Sequence, residues 1–192
     1  MQLSTVRRAI ICEMSDGWLT TDQWNVVKRS VPIATVEFVP IRRDTSGAID
    51  RVGLIYRHSP FGGKDLWCQP GGRVQRGETL HDALNRHATS DLLGDIKFSS
   101  DARPLAAMEW FPPDLSPDAS TDRPTGRYGI DPRQHSVGFC FAVEPRGDLK
   151  PVVGGEALQF RWFEIRELDE LDTWPGTREL VNRVIAAAGS SR

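Results

Sequence analysis

The sequence predicts an α/β protein, a mixed β-sheet covered by helices in one domain. Three observations predict it. Runs rich in β-branched and aromatic residues recur at 33–41, 52–57, 66–69, 104–111, 135–143 and 158–165. Helical periodicity marks 78–93 and 180–188. The helical stretches fall between and after the strand runs, the order expected of a sheet layered with helices. At 192 residues the chain suits a single domain with a sizeable core.

The elements follow in order. Residues 1–19 carry weak signals and are assigned as an N-terminal extension, leaving 20–192 as the domain. Thr21-Asp22 offers an N-cap and an acidic first turn for a helix over 23–30, which must end before Pro32. A strand at 33–41, a turn over 44–50 containing Ser46-Gly47, and a returning strand at 52–57 come next. Pro60, Gly62 and Gly63 interrupt the pattern before a short strand at 66–69. A glycine-bounded loop, Pro70 to Gly77, then feeds the helix at 78–93.

That helix carries the most informative residue. Leu80, Leu84, Ala88 and Leu92 form one apolar stripe, and Asp91 falls inside it, within roughly 20° of Leu80 and Leu84 on a helical wheel. A carboxylate facing a core requires a cation or strong donors nearby. Farther on, 112–134 holds five prolines (Pro112, Pro113, Pro117, Pro124, Pro132) and four aspartates (Asp114, Asp118, Asp122, Asp131), so a long irregular loop is expected. Alternation at 158–165 puts Leu158, Phe160 and Trp162 on one face, read as core. Leu180, Val181, Val184, Ile185 and Ala188 mark a C-terminal amphipathic helix.

Bulk properties exclude several function classes. A net charge of −2, from 24 basic and 26 acidic residues, gives no electrostatic footprint for nucleic acid or an acidic membrane. Cys12, Cys68 and Cys140 are far apart and odd in number, which suggests neither a zinc site nor a disulfide framework. The apolar run 9–12 is too short for a signal sequence, and no segment reaches membrane-spanning length. A cytoplasmic protein is expected.

The 72–79 loop imitates the spacing of a phosphate-binding P-loop, but Glu78 stands where that motif needs lysine. No GxGxxG follows a strand, so the dinucleotide fingerprint is absent too. Gly72, five residues, Glu78, seven residues and Arg86 do resemble the first half of the Nudix box, Gx5Ex7REUxEExGU. In the second half His87 and Ser90 replace two glutamates, Asp91 keeps an acid at the third, and Gly94 comes one residue late. Within the superfamily, Gly71-Gly72-Arg73-Val74-Gln75 with Glu78-Thr79-Leu80 is similar to the GDP-mannose mannosyl hydrolase branch, as are Val26 to Pro32 and the acid at Glu37.

The resemblance implies a Nudix-type α/β/α sandwich and hydrolysis of a nucleotide sugar or related nucleoside-diphosphate substrate. It implies Mg²⁺, with Mn²⁺ as a substitute, held by the Gly71 carbonyl, Asp91 and Gln134. His135 would be the general base for water attacking the anomeric carbon. Arg86 and Glu78 would complete the catalytic set, and Arg57, Arg73 and Glu37 would contact substrate. Other readings stay open. Asp91 could pair with Arg86 or His135, or end its helix in solvent. Arg86 could contact the ligand's phosphates, brace Glu78 as the resemblance implies, or pair with Asp82 at i,i+4. His87 could be a second ligand or a hydrogen-bonded histidine. Trp110, Phe111 and Tyr128 could stack on a base or sugar, or simply pack. The whole domain could cut P–O instead of C–O, or bind a nucleotide without turnover. A homodimer would be ordinary for such a protein.

Overall fold

A computed structural model describes residues 19–59, 62–117 and 126–190. The extension assigned to 1–19 lies outside them except for Leu19, as does the middle of the 112–134 loop. The order of elements is α1 (Thr21–Ser30), β1 (Ile33–Arg43), β2 (Ile49–Arg57), β3 (Leu66–Cys68), β4 (Gly71–Arg73), α2 (Leu80–Asp91) and β5 (Leu92–Asp95). There follow β6 (Ala106–Phe111), β7 (Gly129–Ile130), β8 (Ser136–Val143), β9 (Arg146–Pro151), β10 (Ala157–Glu164), a 3-10 helix (Ile165–Asp169) and α3 (Thr177–Ser190).

The main sheet runs β10-β2-β1-β8-β6-β7, with β3 added to β2 and β4 added to β1; β5 and β9 form a separate ribbon. β1 pairs parallel with β8 and antiparallel with β2 and β4. It is therefore central, and every residue from Thr35 to Ile41 is buried. A strand covered on both faces should read as a continuous apolar run, and the buried part of β1 does so apart from Thr35 and Glu37. Its side chains alternate between two cores. Val36 and Phe38 pack with Leu84, Ala88 and Leu92 from the α2 side. Val39 and Ile41 pack with Leu180, Val181 and Val184 of α3. The expected α/β/α sandwich is the observed one.

Local chemistry explains the boundaries. Thr20, one residue ahead of the expected cap, closes a reciprocal capping box with Gln23 and starts α1. Thr79 and Asp82 do the same for α2, so the helix begins at Leu80 and not at Glu78. In the β1–β2 turn Asp44 Oδ1 accepts from Ser46 N (2.8 Å) and Ala48 N (3.0 Å). β10 departs from the expected pattern. A register shift between Ala157 and Gln159 changes its parity. Ala157 and Phe163 are the buried residues, Leu158 is 43% exposed, and Phe160 and Trp162 are only partly covered. The 112–134 segment is also less irregular than expected, since β7 adds in parallel to the end of β6. Among the described residues no helix is long and apolar enough to cross a membrane.

Gly71 lies hard against the β1 backbone. With φ of 146°, a Cβ there would strike the Val36 carbonyl oxygen and sit 2.7 Å from Glu37 Oε2. Gly77, at φ 89°, has open space around it. Gly71→Ala should therefore cost roughly 3 kcal/mol or more, from strain plus overpacking, and Gly77→Ala about 1 kcal/mol. Urea unfolding of the two variants checks the order; equal losses would show that β4 is not tightly docked on β1.

Candidate active site

A cavity of about 840 Å³ opens where β1, β4, the C-terminal half of α2 and the segment after β7 converge. Glu37, Arg57, Gly71, Arg73, Arg86, Asp91 and Gln134 all line it. Seven of the nine expected site residues thus come together from β1, β2, β4, α2 and the 112–134 loop.

Two of them set its electrostatics. Asp91 is 5% exposed and Glu37 8% exposed, and among the described residues neither forms an ion pair. Burial pushes Glu37 up to about 7, and the charge of Asp91 adds to that; the Gln69 amide, donating to Glu37 Oε2 at 3.0 Å, pulls the other way. Burial likewise pushes Asp91 up to about 6, against the Ser90 hydroxyl, which donates to it at 3.0 Å. The inward position that the helical wheel gives Asp91 is what the structure has. It is neither a solvated helix end nor paired with Arg86 or His135.

Arg86 is committed elsewhere. Its Nε donates to Glu78 Oε1 (2.6 Å), and one terminal nitrogen donates to Glu78 Oε2 (2.8 Å) and to the Arg73 carbonyl (2.8 Å). This charge-assisted fork holds Glu78 down at about 2. Glu78 also accepts from Gln75 N at 2.8 Å. The pair therefore clamps the loop after β4 onto α2. Asp82, the alternative partner, is occupied in its own cap. His87 packs over Gly72, where a Cβ would lie 2.6 Å from the ring, and its Nε2 stands 3.2 Å from the Arg73 carbonyl. Burial lowers its pKa, which favours the neutral ring.

The remaining cations are distributed in pairs. Arg57 meets Glu156 at 2.7 Å and lies over Trp174, 4.7 Å from the ring centre. Arg133 meets Asp131 at 2.8 Å. At the rim the Arg73 guanidinium stacks on Trp24 (4.2 Å), with the Lys28 ammonium 5.9 Å from the same ring. α1 buries none of its residues and presents Trp24, Asn25 and Lys28 to this cavity.

His135 is not part of the lining. Gln134 and Ser136 point into the cavity, joined by a 3.1 Å bond, and strand alternation turns His135 away. It stacks on Phe111 (4.3 Å), with Nε2 4.0 Å from Glu109. The structure thus places the expected base outside the lining of this cavity. Phe111 also packs edge-on against Tyr128 (5.4 Å), so of the three aromatics considered only Trp110 borders the cavity. Sequence reasoning missed Trp24, Gln69, Trp174 and Glu156. Only Gln69 carried a signal, as the last residue before the Pro70-Gly71 turn.

Comparisons with known proteins fit this geometry. Residues 14–190 match a family model described as domain of unknown function DUF4916. A structure from Jonesia denitrificans, described as a possible asymmetric diadenosine tetraphosphate hydrolase, is similar at 28% identity over 83% of this chain and 96% of that one, with a TM-score of 0.67. A MutT Nudix hydrolase from Burkholderia pseudomallei (21% identity, 81% and 99% covered, TM-score 0.55) and a Nudix hydrolase from Nitrosomonas europaea (16%, 83% and 90%, 0.55) share the fold. No curated protein matches. The chain belongs to the DUF4916 family, and its fold is that of the Nudix superfamily.

The segment that resembles the Nudix box spans β4, the clamped loop and α2. Two of its helix positions hold His87, turned to a backbone carbonyl, and Ser90, whose hydroxyl donates to Asp91 and to the His87 carbonyl. Among the described residues no three His, Cys, Asp or Glu side chains gather as a metal cluster. Of the four acids that line the cavity, Asp131 and Glu156 are ion-paired with arginines, and Asp91 from the helix and Glu37 from the sheet are not.

These carboxyls give a stability prediction with a definite sign. Their folded pKa values, about 7 and about 6, lie above the ordinary 4.5 and 3.8. Their contribution to stability is then full in acid and falls as pH climbs to 7. Glu78 acts oppositely: its contribution is present above 4.5 and is lost as pH falls to about 2. Glu37 and Asp91 should thus cost the metal-free protein stability as pH rises from about 4 to 7, and Glu78 as pH falls below 4.5. Asp91→Asn should raise the melting temperature at pH 7.5 by roughly 3–6 °C. Thermal melts across pH test both, and a lower melting temperature for Asp91→Asn would show that its charge is compensated in the fold.

Proposed function

We propose that the cavity is the active site of a divalent-metal-assisted hydrolase that cuts a nucleoside-diphosphate-linked substrate at a P–O bond. The observation that carries this is the pair of buried carboxyls, Glu37 and Asp91, without ion-pair partners and beside the Nudix loop and helix. Such a pair fits a hard dication, since bringing one in relieves a repulsion that the fold sustains. Asp91, Glu37 and the Gly71 carbonyl would hold Mg²⁺ or Mn²⁺, and the Gln134 amide oxygen is a further donor of the right kind. When bound, the ion would stabilise the charge that grows on the phosphate oxygens as the bond breaks.

The protein's own residues do the rest. Arg73 and Lys28, gathered on Trp24 at the rim, would receive the outer phosphate. Arg86 acts indirectly: by clamping Glu78 it fixes the loop that carries Gly71 and Arg73. Cleavage at P–O is favoured over attack at the sugar carbon because the histidine that such attack would use lies outside the cavity. The similarity to the Jonesia denitrificans structure points the same way. A second reading, nucleotide binding without turnover, draws on His87 and Ser90, which hold backbone contacts at two box positions.

Incubation with Mg²⁺ and a panel of nucleotide sugars and dinucleoside polyphosphates decides among these. In ¹⁸O-water, a nucleoside monophosphate with the label on one of the two phosphate products supports P–O cleavage. A nucleoside diphosphate and a labelled free sugar would instead establish attack at carbon. A ligand-induced thermal shift without products would establish the binding module. Asp91→Asn should lower turnover at least a hundredfold, as expected when a metal-holding carboxylate is removed; wild-type rates from that variant would remove the metal from the proposal.

A further inference from the structure

Glu37 is held from behind by two hydrogen bonds in series that leave the cavity and enter the core. Gln69 Nε2 donates to Glu37 Oε2 at 3.0 Å, and Thr177 Oγ1 donates to Gln69 Oε1 at 2.9 Å. Thr177 is 1% exposed, opens α3 and does not line the cavity. It lies 108 residues from Gln69 in sequence, so the series ties α3 to β1 through the turn before β4.

The direction of donation matters. An ionised carboxylate only accepts, so Gln69 must turn its nitrogen to Glu37 and its oxygen away. In that orientation the oxygen needs a buried donor, and the Thr177 hydroxyl supplies it. Without that hydroxyl the flipped amide, oxygen against carboxylate, loses its main competitor. Gln69 also adjoins Pro70, whose carbonyl accepts from Phe38 N at 3.0 Å, and Gly71 follows. The side chain that steadies Glu37 is therefore anchored in the same turn as the proposed carbonyl ligand.

We infer that Thr177 is a positioning residue for Glu37, acting through the Gln69 amide, and that it sets the cation affinity of the site from within the core. This rests on the proposed metal role of Glu37 and Asp91. Positioning contacts of this kind behind metal-facing groups are worth roughly ten- to a hundredfold in affinity.

The test is Mn²⁺ binding to the full chain, followed by electron paramagnetic resonance, with no nucleotide present. Glu37→Gln and Asp91→Asn should each weaken binding at least tenfold. Thr177→Val, which keeps the shape and removes the donor, should weaken it roughly tenfold, and Thr177→Ser should bind like wild type. Gln69→Met should match Thr177→Val, and the double variant should be no weaker than Gln69→Met alone; these hold the proposal to account if Thr177→Val fails to fold. A threonine that only packs would not move Mn²⁺ affinity on losing its hydroxyl. Wild-type affinity in Thr177→Val or Gln69→Met, with Glu37→Gln impaired, overturns the positioning role alone. Wild-type affinity in Glu37→Gln and Asp91→Asn overturns the metal reading and the positioning role with it.

Discussion

Two carboxyl groups buried around one cavity are difficult to keep ionised without a counter-charge, and the neighbourhood of Glu37 and Asp91 is organised around that constraint. Glu37 interrupts an otherwise apolar central strand, at a position where both faces of the sheet are covered. Asp91 ends a helix whose other inward residues, Ala83, Leu84 and Ala88, form ordinary core. An ion pair with arginine would settle both charges, and arginines are close. The fold instead gives Arg57 to Glu156, Arg86 to Glu78 and Arg133 to Asp131. What Glu37 and Asp91 receive are neutral donors, Gln69 and Thr35 for the first and Ser90 for the second. A neutral donor steadies a carboxylate without cancelling its charge, so the site keeps its attraction for an added cation.

The same allocation accounts for the stiffness of the loop. A short glycine-bounded segment next to a cavity would ordinarily be mobile, because glycine imposes little on the backbone. Here the Arg86 fork, the Gln75 N–H on Glu78 and the Arg73 carbonyl on Arg86 bind the segment at both ends of its turn. Gly71 is pressed so closely on β1 that a side chain has no room. Binding energy from a ligand would then go into charge compensation, with little spent on ordering the loop.

Much of this was legible in the sequence, for reasons that also explain the failures. Asp91 could be read as buried because a twelve-residue helix repeats its periodicity enough times to expose an acid in an apolar stripe. The clamp was half legible: Glu78 and Arg86 stood out by spacing, but whether Arg86 would choose Glu78 or Asp82 depended on a cap that occupies Asp82. Strand parity was the weak point. A one-residue shift reverses every side chain, and a bulge in β10 put Leu158 in solvent. Parity also separates His135 from Gln134 and Ser136, which no count along an irregular loop could supply. β4, β5 and β7 are too short, at two to four residues, to carry a pattern. Gln69 and Thr177 meet only because the chain folds, so their bond had no trace in either segment.

The replacements at 87 and 90 can be argued from charge balance. Two further acids at these positions, added to Glu37 and Asp91, would carry a repulsion that a single dication could not neutralise. With His87 kept neutral by burial, Ser90 a neutral donor, and Asp131 and Glu156 paired with arginines, two unpaired acids remain, a charge that the proposed dication would match. Their sources differ in a way that affects precision. Asp91 is fixed by a helix whose end is secured through its carbonyl to Val152 N (3.1 Å). Glu37 is fixed by the centre of a sheet and by a donor series from α3. Acids held by two different layers of the sandwich cannot drift together, so the spacing offered to a cation is set by core packing and not by side-chain rotamers alone. On the proposed metal reading, Asp91 and Glu37 would together hold one ion, and the sheet acid would be the group whose position the core controls.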